Sequence, residues 1–138
     1  MESDSFLRDS WKRKMEEEKG ETQEDKDIGL YLRFQEDAKK HPELTPIVLE
    51  LEAAIGKYAS SVVRYSAAKI STDMEEIESA DQNRRLVHNS LIDVMNHLSR
   101  EYRAVGIDNN WRGAIIGESR EELGDWALTV ARKVLNHE

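Results

Sequence analysis

The chain has 138 residues, a formal net charge of −8, 35% charged against 38% hydrophobic residues, and no cysteine. That length holds one domain with room for a tail, and the lean apolar fraction suits amphipathic helices with wide polar faces. The charge disfavours phosphate backbones and anionic lipid. The missing cysteines rule out disulfides, thiolate metal sites and a thiol nucleophile, and no stretch approaches the ~20 apolar residues of a membrane span.

Met1-Glu2-Ser3-Asp4-Ser5 has no apolar run of signal-peptide type, so a cytoplasmic protein is expected, with neither nucleic acid nor membrane as partner. Phe6, Leu7 and Trp11 then recur at helical spacing and make a short sticky segment suited to docking on the chain's own core or on a partner. From Lys12 to Asp27 the one large apolar residue is Met15. Such a tract buries too little to offset chain entropy, so residues 1–27 are expected to be a charged extension, frayed or disordered. The globular domain is expected over residues 28–138.

Leu30, Tyr31, Phe34 and Ala38 step by three and four, which predicts a first helix over about 28–40, ended by His41-Pro42. Thr45 as cap and Pro46 in the first turn predict a second helix over 46–70. Its Leu44, Val48, Leu51, Ile55, Tyr58, Val62 and Tyr65 form a heptad-like seam. Thr72-Asp73-Met74-Glu75 has the capping-box form and predicts a long third helix over 72–103, stopped at Gly106. Residues 106–118 form a loop around Trp111, and Ser119-Arg120-Glu121-Glu122 is a second capping box opening a last helix over 119–136. The fold class is therefore all-α, a bundle of about four main helices.

A connection as short as Ser71-Thr72 folds the two long helices back as an antiparallel hairpin. With roughly 25 and 32 residues, the second overhangs the first by about 10 Å. The overhang carries Leu98 and Tyr102, which need cover from the last helix, the Trp111 loop, the aromatic segment or a second subunit. A homodimer, or another protein on the same helix faces, is the expected partner.

The long helix holds one polar interruption. Its seam runs Met74, Ile77, Asp81, Arg84, His88, Leu91, Met95, Leu98 and Tyr102, and Asp81, Arg85 and His88 sit at offsets of four and three on one side. A carboxylate, guanidinium and imidazole beside a core make Asp81, Arg84, Arg85 and His88 a candidate anion site, with Arg gripping the anion and His shuttling a proton. Rotating the helix slightly gives the stripe Ile77, Ala80, Arg84, Val87, Leu91, Val94 and Leu98. That leaves Asp81 and Arg85 as an ordinary surface pair. A third reading has the polar step fixing register or oligomer state, as buried polar residues do in coiled coils. The stretch Asp81-Gln82-Asn83-Arg84-Arg85-Leu86-Val87-His88-Asn89-Ser90-Leu91-Ile92 resembles small helical bacterial proteins of uncharacterised families, a likeness that implies no activity.

Glu121-Glu122-Leu123-Gly124-Asp125 resembles half of the signature of all-α nucleotide pyrophosphatases of the MazG kind. The resemblance implies Mg²⁺ as cofactor, held by Glu122 and Asp125, with Glu118 adding an oxygen one turn earlier; hard cations prefer such ligands. The family's earlier acidic pair would fall on Glu75 and Glu78, or on Glu50 with an offset partner, and neither completes the motif. Acids in the first turns of a helix are also favoured simply by its exposed N–H groups. His97, between Asp93 and Glu101, lacks a second imidazole at ligand spacing. Neither a phosphate-binding loop nor a Gly-x-Ser-x-Gly elbow occurs. A non-enzymatic interaction or regulatory module is the expected function, with the Mg²⁺-dependent pyrophosphatase as the alternative.

Overall fold

The computed structural model describes residues 22–115 and 120–135, and among these the chain is helical between short connections, with no strand. Helix α1 spans Gln23–Lys40. It starts at Gln23 rather than near Ile28 because Thr22 and Asp25 form a reciprocal capping box. The Thr22 hydroxyl accepts from the Asp25 N–H at 3.1 Å, and the Asp25 carboxylate accepts from the Thr22 N–H at 3.3 Å. Glu24 and Asp25 in the first turn, with Lys39 and Lys40 in the last, complement the helix dipole. The charged tract thus supplies one more helical turn than its apolar content suggested.

A 3-10 turn, Pro42–Leu44, feeds directly into α2, Thr45–Ser71. Thr45 is therefore inside the helix and is not its cap. The Leu44 N–H already donates to the His41 carbonyl at 2.9 Å. The turn itself so satisfies groups that a capping side chain would otherwise serve. Helix α3 spans Met74–Ala104. Its cap is Asp73, whose Oδ1 accepts from the N–H groups of Glu75 and Glu76, and not the expected Thr72. Thr72 instead terminates α2 in the left-handed region, at φ 61°. Gly106 ends α3 at φ 80°, where a side chain would be strained. The expected loop contains a short helix α4, Trp111–Ile115, and α5 follows at Arg120–Lys133. Ser119 of the second capping box lies outside the described residues.

The α2–α3 hairpin is the frame. Leu44, Val48, Leu51, Ile55 and Tyr58 of α2 and Leu91, Met95, Leu98 and Tyr102 of α3 are buried, as the seams predict. α1 and α5 pack against α2 and each other. Phe34 stands edge-on to Trp111, Tyr102 and Trp126, with ring centroids 4.8, 6.0 and 6.2 Å apart, a geometry that aromatic quadrupoles favour. Two polar tips are hydrogen-bonded: the Tyr102 hydroxyl donates to Asp37 at 2.5 Å, and Trp126 Nε1 donates to the Asp27 carbonyl at 3.0 Å. Leu98 and Tyr102 are both buried within the chain, Tyr102 against Phe34 of α1 and Trp111 of α4, so their overhang asks for no second subunit.

Candidate interaction surface on the helical hairpin

The uncovered part of the hairpin lies at its other end. Between Val62 and Val87 the only buried residues are Ala68 and Ala80, small side chains that let α2 and α3 approach closely. Val63, Ile70 and Met74 on this arm are 51%, 83% and 75% exposed. A hairpin of two helices buries one stripe from each, and without a third element the remaining apolar positions stay in water.

The apolar and small residues on the outer side of α2 are not scattered. Leu49, Ala53, Gly56, Ser60, Val63, Ala67 and Ile70 follow one another at alternating steps of four and three, a second seam about a third of a turn round the helix from the core-facing one. Small residues in its middle keep the apolar signal low, so the sequence reading missed it; the heptad spacing was the available clue. Over Leu49 to Arg64 this seam lines an open groove of about 810 Å³, flanked by Val87 of α3 and by Leu135 just beyond α5.

The polar interruption in α3 sits at the base of the arm. Asp81 accepts from Arg84 at 2.6 Å and pairs with Arg85 at 3.0 Å. Asp81 and Arg84 are half-buried on the seam, whereas the Arg85 side chain is 72% exposed and off it. Arg84 lies over the Tyr65 ring at 4.9 Å, a cation–π arrangement. His88 packs on Tyr58 with ring centroids 5.4 Å apart. The hydrogen bond from Arg84, with the Arg85 charge, holds the Asp81 carboxyl below its ordinary range, and the same bond raises Arg84. Burial pushes the Tyr58 hydroxyl up, opposed by the Arg84 charge and reinforced by Asp125. The Asp81 carboxylate thus pairs with both guanidiniums of the expected anion site. Arg84 over Tyr65 and His88 against Tyr58 are two side-chain contacts between α2 and α3 at this level.

α5 reaches this layer through Gly124. A Cβ built there would stand 2.6 Å from the Tyr58 hydroxyl oxygen, so α5 meets the Tyr58 side chain where a larger residue would require that ring to shift. Of the proposed metal ligands, Asp125 is exposed; Glu118 and the Glu122 side chain lie outside the described residues. Glu78 is 10 positions before His88, which places it about 15 Å along α3 from the level where Gly124 meets Tyr58. Glu75 is further still. Among the described residues no three acids or imidazoles converge as a metal site would require. His97 Nε2 is 3.4 Å from the Glu101 carboxylate on one helix face.

No protein-family model matches this chain, and no curated protein or solved structure matches it. No helix among the described residues is long and apolar enough to cross a membrane. The fold and site define an all-α helical bundle with a protruding two-helix arm.

Proposed function

We propose that this protein is a non-enzymatic, cytoplasmic interaction module that pairs with a second copy of itself through the outer arm of the α2–α3 hairpin. The observation that carries this reading is the bare arm: Val63, Ile70 and Met74 exposed around a pair held together by Ala68 and Ala80. Charge supports a two-fold arrangement. The α2 side of the arm carries Arg64 and Lys69, and the α3 side carries Glu75, Glu76 and Glu78. Setting α2 of one copy against α3 of its partner joins opposite signs. Within the arm, Arg64 and Glu76 already pair in this sense at 3.2 Å.

From Ala59 to Ser71 α2 rises about 18 Å, so the contact is at the small end of specific interfaces and the pairing weak, with Kd on the order of 10–100 μM. Sedimentation equilibrium across that range tests it, comparing the native chain with Ile70→Glu/Met74→Glu. The native chain should shift from monomer to dimer and the variant stay monomeric with unchanged helicity. A native chain monomeric throughout, or a variant that dimerises equally, contradicts the proposal.

A further inference from the structure

Thr72 and Asp73 alone separate α2 from α3, and the turn they make is strained. Thr72 sits at φ 61° and ψ 11°, the only non-glycine residue at positive φ among the described residues. A β-branched side chain crowds the backbone there, whereas the right-handed helical region accepts it. Short hinges under strain favour release into a straight connection, with halves exchanged between two copies.

Little at the tip holds this turn closed. Between Val62 and Val87 the hairpin buries only Ala68 and Ala80. Arg64 reaches across to Glu76 and Ser79, but through exposed side chains, where such contacts contribute little. The core contacts, by contrast, join the chain before Thr72 to the chain after it. Phe34 packs on Trp111, the Tyr102 hydroxyl donates to Asp37, Trp126 donates to the Asp27 carbonyl, and Tyr58 meets Gly124. Two copies that exchange halves remake each of these contacts between chains.

The sequence also keeps the two halves in phase. The buried Leu51, Ile55 and Tyr58 of α2 stand 40 positions before the buried Leu91, Met95 and Leu98 of α3. In one unbroken helix, at about 100° per residue, that interval turns one stripe by only about 40° from the other. Both stripes then face the same side, as a single antiparallel partner helix requires.

We propose that the Thr72–Asp73 turn is a hinge that opens into a continuous α2–α3 helix, and that two copies of the chain then exchange their α3–α5 halves. The exchange does not rest on the arm pairing proposed above. Intact hairpins that meet at their arms part on dilution, whereas exchanged halves part only when each bundle unfolds.

The test is refolding from urea at about 10 μM and at about 1 mM, followed by dilution and separation by size. At the higher concentration the native chain should yield a dimer that persists after dilution. Spin labels at Ser60→Cys and Ser90→Cys, in a chain with no other cysteine, read the hinge within one molecule when refolded with a large excess of unlabelled chain. Both positions are exposed and lie two residues from Tyr58 and His88, which touch in the hairpin. In an unbroken helix they stand about 45 Å apart. Thr72→Gly accepts the left-handed turn freely and disfavours a continuous helix, so it should cut the dimer share at least about fivefold. Thr72→Ala/Asp73→Ala favours the helix and removes the α3 cap, so it should raise the share above the native one. No persistent dimer from the native chain, a dimer whose labels stay within about 25 Å, or a share that Thr72→Gly leaves unchanged would each overturn the exchange. The native and Thr72→Gly chains decide this even where the double variant fails to fold. The arm pairing is decided separately, by the reversible sedimentation shift and its loss in Ile70→Glu/Met74→Glu.

Discussion

Replacing Gly124 by alanine probes the contact that fixes α5 on the hairpin. Two effects oppose each other. Alanine in a helix interior is favoured over glycine by about 1 kcal/mol, and on an open surface the substitution stabilises. Here the new methyl carbon would lie 2.6 Å from the Tyr58 hydroxyl oxygen and 3.3 Å from Cζ. Tyr58 is 6% exposed and its ring is held against His88, so it has little room to swing away. Overpacking of this kind costs about 1–3 kcal/mol, so against the gain in helix propensity Gly124→Ala should lose up to about 2 kcal/mol net. Tyr58→Phe removes the offending oxygen, and in that background Gly124→Ala should be nearly neutral or stabilising. Urea unfolding of the four proteins, read by circular dichroism, gives the cycle and a coupling of about 1–3 kcal/mol. A Gly124→Ala chain more stable than the native one would refute the contact, and with it the position of α5.

Thr72 holds φ 61°, a conformation that costs a β-branched residue about 1–2 kcal/mol. Thr72→Gly should therefore raise stability by up to about 1 kcal/mol once its looser unfolded chain is counted, seen as a higher urea midpoint at unchanged slope. The Tyr102 hydroxyl is raised above its ordinary 10.0, first by burial, then by its hydrogen bond and proximity to Asp37. A raised tyrosine keeps its proton in the folded state while the unfolded chain releases it. Its contribution is thus complete below about pH 10 and declines above it by about 1.4 kcal/mol per unit. Tyr102→Phe should cost about 1–2 kcal/mol at neutral pH and flatten the alkaline limb of a stability–pH curve; an unchanged limb would contradict the burial argument.

The core of this fold was legible because its signals are periodic and local. The α2 seam from Leu44 to Tyr58 and the α3 seam from Leu91 to Tyr102 are both buried in register, since a step of three or four residues leaves side chains little choice of face. Caps were less legible. Thr72 and Asp73 are adjacent candidates, and only the backbone shows that the threonine stops one helix while the aspartate starts the next. Thr22 and Asp25 carried a capping signal that the charged tract around them obscured. The polar layer was half readable. Asp81, Arg84 and His88 follow from helical spacing, but their neighbours Tyr65, Tyr58 and Gly124 come from distant parts of the chain. Those contacts are set by tertiary packing, which no local pattern encodes.

Pairing through the arm is tested most directly by distance. A single spin label at Ser66→Cys, beside Val63 and Ile70 on the exposed side of α2, should report a dipolar distance between two copies below about 30 Å, set by an arm about 18 Å long. The signal should grow with concentration and vanish on adding Ile70→Glu/Met74→Glu. A labelled chain with no intermolecular distance at concentrations on the order of 100 μM would contradict the pairing.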